Sequence, residues 1–98
     1  MTNPLNIRRL ALDVDKAISQ PSLIELSSAI SGCSGVEGFN ITVSNIDIET
    51  VGMDITIAGQ HLNYEELVKA MEQTGAVVHS IDQIVCGNTV VERVVRAR

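Results

Sequence analysis

Twice in succession the chain spells an apolar strand, a capped amphipathic helix and a glycine that leads into a further apolar strand. The first copy covers residues 7–43 and the second residues 53–81. A doubled β-α-β pattern within 98 residues predicts a ferredoxin-like α+β sandwich, βαββαβ, with an antiparallel sheet and both helices on one face. At this length a single domain with one core is expected, its core over about residues 6–92 with flexible ends.

The individual elements follow from periodicity. Over residues 6–15, Leu10, Leu12 and Val14 alternate with Arg9, Ala11 and Asp13, the period of a half-buried strand. Pro21-Ser22-Leu23-Ile24-Glu25 carries a capping box with Ser22 as N-cap, and Leu23, Leu26 and Ile30 follow at helical spacing until Gly32 and Gly35. In the next strand Phe39, Ile41 and Val43 are apolar at odd positions, but Ile46 and Ile48 are even. A bulge near Ser44-Asn45 would return both sets to one face. After a turn over residues 49–52, Met53, Ile55 and Ile57 form the third strand, ending at Gly59. Asn63 caps a second helix whose apolar stripe is Tyr64, Leu67, Val68 and Met71, with Gly75 as its stop. Residues 77–81 read as a fourth strand. Gly87-Asn88, between Ile84-Val85-Cys86 and Thr89-Val90-Val91, predicts a hairpin and hence an extra C-terminal edge strand or one donated to a neighbouring subunit.

Composition removes several function classes. A net charge of −5 argues against a phosphate backbone as partner, and Tyr64 and Phe39, the only aromatic residues, make no stacking platform for bases. The small basic tail of Arg93, Arg96 and Arg98 does not reverse this, so no nucleic acid is expected. The apolar runs are too short to span a membrane and the first residues lack a basic region, so neither a membrane nor a signal peptide is expected and the predicted location is cytoplasmic. Cys33 and Cys86 are too few and too distant for a zinc site, which needs about four ligands. Both read as reduced thiols, with Cys33 exposed in a glycine-rich loop.

The candidate chemistry lies on the sheet face away from the helices. Parity places Arg9, Ala11, Asp13, Asn40, Thr42, Asp54 and Thr56 there, and Ser80 and Asp82 too if Ile81 points inward. In the strand order of this fold, Asp13, Asp54 and Asp82 would approach one another, and an oxygen-rich group of that kind suits Ca or Mg. The plainer alternatives are a solvated polar face, or an oligomer surface on which Asp13 meets Arg9 of a neighbour. Asp47 and Glu49 read as solvated strand-end charges, while Asp13, Asp15 and Lys16 stand where small ligands often bind in this fold, although no glycine-rich cradle is present. His79 reads as a structural histidine with Asp82 its one sequence neighbour of suitable chemistry, and His61 as a loop residue. No catalytic or cofactor motif is found.

The segments Arg8-Arg9-Leu10-Ala11-Leu12-Asp13-Val14, Pro21-Ser22-Leu23-Ile24-Glu25, Gly38-Phe39-Asn40-Ile41-Thr42-Val43 and Val78-His79-Ser80-Ile81-Asp82, in that order, resemble an archaeal domain-of-unknown-function family, number 211. The resemblance covers residues 6–92. It implies an archaeal source, a ferredoxin-like fold and assembly of the chain with itself, a ring being one form, and it implies no activity. The function expected is therefore that of a non-enzymatic, self-associating module with a binding or regulatory role. The alternative is a small-ligand or divalent-metal sensor with its site between subunits.

Overall fold

The computed structural model of the protein describes residues 5–96. Most of the expected lead-in, and Arg98 of the basic tail, lie outside the described residues. Six elements follow in the order β1 (Ile7–Ala17), α1 (Leu23–Ser31), β2 (Val36–Ile46), β3 (Thr50–Gly59), α2 (Tyr64–Gln73) and β4 (Val77–Cys86). The strands form one antiparallel sheet in the order β2-β3-β1-β4. This is the ferredoxin-like arrangement expected from the doubled β-α-β pattern.

β1 occupies the middle of the sheet and pairs with β3 without interruption from Arg9↔Ala58 to Ala17↔Thr50. Cross-strand partners share a face, so the apolar pairs Leu10↔Ile57, Leu12↔Ile55 and Val14↔Met53 all point the same way. They meet Leu26 and Ile30 of α1 and Leu67 and Met71 of α2, and all ten side chains are buried. Burying each such side chain contributes about 1.5–3 kcal/mol of transfer free energy. Leu23, expected in the α1 stripe, is instead exposed with Ile24 at the start of the helix, so Leu26, Ile30 and Cys33 carry the contact.

Both helix starts form as the sequence requires. Ser22 Oγ accepts from the Glu25 N–H at 3.0 Å while Glu25 Oε1 accepts from the Ser22 N–H at 3.1 Å. Asn63 Oδ1 accepts from the Glu66 N–H at 3.1 Å. Each arrangement satisfies donors that the first helical turn leaves without partners. Thr74 is the C-cap of α2, and Gly75 leaves it with φ 106°.

The expected bulge is present. Val43 pairs with Met53 and Asn45 with Gly52, leaving Ser44 without a partner. Ile46 is thereby returned to the helix side beside Val51. Ile48 is not on the strand: it lies in a turn closed by the Asp47 N–H donating to the Thr50 carbonyl at 2.8 Å.

The second half of the sheet departs from the expectation in two ways. First, β4 is one strand of ten residues, kept in register with β1 by shifts that absorb its irregular apolar spacing. Val78 pairs with Val14 on the helix side, and Val77 with Asp15 on the open side. Second, the extra C-terminal edge strand does not form within the chain: residues 88–96 have no regular secondary structure. Gly87, at φ 108°, turns the backbone, its N–H donates to the Asn6 carbonyl at 2.8 Å, and Arg8 Nη1 donates to the carbonyls of Gly87 and Asn88. These bonds draw the chain toward β1 instead of back along β4.

A single close approach locks the ends of β2 and β3 together. A Cβ added at Gly59 would lie 1.9 Å from the Gly35 carbonyl oxygen, and one at Gly35, where φ is 79°, would lie 2.1 Å from the Gln60 carbonyl oxygen. Backbone this close admits no side chain. Gly59→Ala is therefore expected to lower stability by about 2 kcal/mol or more, and Ser22→Ala by about 1 kcal/mol through loss of the cap. Urea denaturation of both variants measures this, and a Gly59→Ala midpoint equal to that of the parent would contradict it.

Candidate functional site

The open face is organised in rows that run across all four strands. One row is Thr42–Asp54–Asp13–Ser80, a second is Asn40–Thr56–Ala11–Gln83, and a third is Asn45–Gly52–Asp15–Val77. The uninterrupted register of β1 with β3 makes Asp13 and Asp54 direct cross-strand partners, which places their Cβ atoms about 4.5–5.5 Å apart. Two of the three predicted metal-site residues are thus brought together.

Asp82 is displaced from that pair. Leu12 pairs with Ile81 and Ala11 with Gln83, so Asp82 is the bulged residue between them. The residue beside Asp13 is Ser80, whose hydroxyl donates to Asp82 Oδ1 at 2.9 Å. Among the described residues no three His, Cys, Asp or Glu side chains converge on one ion position. The expected three-carboxylate cluster reduces, within one chain, to the Asp13–Asp54 pair. Neither carboxylate makes an ion pair or side-chain hydrogen bond among the described residues. Two like charges directly opposed on a sheet repel each other, which makes this pair the electrostatic feature of the face.

The polar neighbours of the Asp13–Asp54 pair are already engaged. His79, the bulged residue between Val78 and Ser80, bonds through Nε2 to Asp15 Oδ2 at 2.9 Å. It is a partnered histidine as expected, but the partner is Asp15 rather than Asp82. Asp15 and His79 border a cleft of about 310 Å³ lined also by Lys16, Glu49, Thr50 and Gly75. Lys16 has its ammonium turned to the carbonyls of Ala17 and Ile18, both at 3.0 Å, so the buried cation is held by the chain itself. His61 lies in the loop before α2, its N–H donating to Asn6 Oδ1 at 2.7 Å.

Toward the other end of the face, Arg9 holds Glu92 through two parallel bonds of 2.9 Å each. Sequence parity found Arg9 but not this partner, because the two are far apart in sequence and residue 92 belongs to no repeating element. Hydrogen bonding to Arg9, and then its charge, hold the Glu92 carboxyl below its ordinary value of 4.5. A depressed carboxyl contributes its stabilisation above the ordinary value and loses it as pH falls through the folded-state value. Acidification below about pH 4 is therefore expected to release the segment around Glu92 from the face. Hydrogen exchange and side-chain NMR signals of Val91 and Val94 would follow the change, and signals constant down to pH 2 would contradict it.

Cys33, expected to be exposed, is buried. Its N–H donates to the Ile30 carbonyl, so the backbone curls past the end of α1 and tucks the side chain between the helices, with Sγ 3.5 Å from the Ala29 carbonyl oxygen. Burial, and secondarily the charge of Glu66, push its thiol upward. A thiol kept protonated is a poor nucleophile, so iodoacetamide at pH 8 is expected to label half-buried Cys86 several-fold faster than Cys33. Timed mass spectrometry reads the order, and equal rates would contradict it.

A four-stranded antiparallel sheet, covered by two helices on one side and carrying an acidic pair on the other, defines a ferredoxin-like α+β domain with an open polar face. The sequence matches the model of domain-of-unknown-function family 211, described as uncharacterized ArCR, over residues 8–98, and the chain belongs to that family. It is also similar to the uncharacterized protein MJ0319 of Methanocaldococcus jannaschii, 36% identical over 88 residues that make up 90% of each chain.

Proposed function

We propose that the chain is a non-enzymatic module that associates with further copies of itself and serves a binding or regulatory role. The observation that carries this reading is uncovered apolar surface, which besides scattered side chains such as Ile24 is gathered at two places. At the β2–β3 hairpin tip Ile46 is 71% and Ile48 87% exposed, and in the C-terminal segment Val94 is 83% exposed with Val91 and Val95 similarly bare. Exposed apolar groups gathered at particular places mark interaction sites. The shape agrees: the extents are 43 × 40 × 19 Å and the radius of gyration is 14.2 Å, against about 12.6 Å for a compact domain of this length. A thin slab with bare apolar ends gains by stacking or pairing. A cytoplasmic setting accords with free thiols at Cys33 and Cys86, and no helix among the described residues is long and apolar enough to cross a membrane.

Light scattering coupled to size exclusion is expected to give a mass several times 10.5 kDa at micromolar concentration. A monomer at 100 μM would remove the proposal.

The opposed carboxylates of Asp13 and Asp54 support a second reading, a divalent-cation or small-ligand sensor whose site is completed between subunits. Ca or Mg would relieve the repulsion and would take its remaining oxygen ligands from water or from another copy. Calorimetric titration with Ca and Mg is expected to show heat that Asp13→Asn abolishes. No heat from either ion in the parent, or undiminished heat in the variant, counts against the sensor.

A further inference from the structure

The two uncovered apolar sets stand at opposite ends of the sheet. The C-terminal segment leaves beside the first residue of β1, where the Gly87 N–H meets the Asn6 carbonyl. The hairpin tip lies beside the last residue of β1, where Ala17 pairs with Thr50. Ten strand steps separate Ile7 from Ala17, about 33 Å at 3.3 Å per residue. Both sets remain exposed in the chain.

Their chemistry is complementary. The tip places the carboxylates of Asp47 and Glu49 on either side of Ile48, and all three are exposed. The segment places Arg93 and Arg96 on either side of Val94 and Val95, again all exposed. Glu92, the one acidic residue there, is neutralised by Arg9. The segment therefore presents cations interleaved with valines, and the tip anions interleaved with isoleucines. Beside the tip, β2 is an edge strand with no neighbour on its outer side among the described residues, and it has no Lys or Pro to blunt it. Such an edge accepts an added strand.

We infer that residues 93–96 of one copy dock against the β2 edge and hairpin tip of a second copy, with Arg93 and Arg96 meeting Asp47 and Glu49. This rests on the self-association proposed above and names the surfaces that meet. The contact is heterologous, since the tail of each copy meets the tip of the next. It propagates head to tail, closing into a ring where the rotation permits and otherwise extending as a filament. The Arg9–Glu92 pair holds the start of the segment against its own sheet and sets the direction in which the remainder leaves.

Charge reversal tests this in the full chain at exposed positions, with circular dichroism as the check that each variant folds. Arg93→Glu with Arg96→Glu is expected to weaken association at least tenfold in sedimentation equilibrium, and Asp47→Lys with Glu49→Lys to do the same. All four substitutions in one chain are expected to restore most of the loss. A parent that associates while neither reversal changes its mass distribution overturns the docking surfaces and leaves self-association standing. Reversals that weaken association without restoration in the fourfold variant also overturn the pairing. A monomeric parent overturns both.

Discussion

The central position of β1 is the constraint from which the rest of the structure follows. With β3 on one side and β4 on the other, every residue of β1 is committed to one of two faces. Its strict alternation sends Leu10, Leu12 and Val14 to the helices and Ala11, Asp13 and Asp15 to the other side. The unbroken register with β3 extends that division across the neighbouring strand. A slip of one residue would carry three leucine-sized side chains into water and two carboxylates beneath the helices, at a cost far above the marginal stability of a small domain.

This division explains which parts were legible in the sequence. Wherever one face was buried and the pairing regular, parity was sufficient: it placed Asp13 and Asp54 on one surface and located the bulge near Ser44-Asn45 from the odd-to-even change between Val43 and Ile46, while the capping patterns at Ser22 and Asn63 marked both helix starts. It failed on β4, where adjacent Val77 and Val78 gave no period and successive register shifts set the faces individually. Asp82 was consequently assigned a place beside Asp13 that Ser80 holds, and the partner of His79 was sought nearby in sequence rather than across the strand at Asp15. The C-terminal segment misled for a related reason. Its valines have the composition of a strand, but the guanidinium of Arg8 fixes the turn at Gly87 and Asn88 and directs the chain elsewhere.

Electrostatics on the open face have a consistent pattern. Asp15 is bonded to His79, and Arg9 to Glu92, while the carboxylates of Asp13 and Asp54 oppose each other between them. Exposed polar contacts of this kind contribute little to global stability. Their effect here is positional: one ties β4 to β1 at a bulge, the other fixes where the last residues begin. The pair of like charges does neither, and its position in the middle of a sheet is what gives the second reading of function its basis.

Because the main hydrophobic seam lies on the helix side of the sheet, the opposite side carries fewer packing demands, with Val85 buried there beside Arg9. Substitutions at its exposed, unbonded positions change chiefly what the molecule meets. Such a scaffold can diversify its outward chemistry among relatives while the buried residues stay fixed, so divergence between family members should concentrate in the transverse rows and spare the seam.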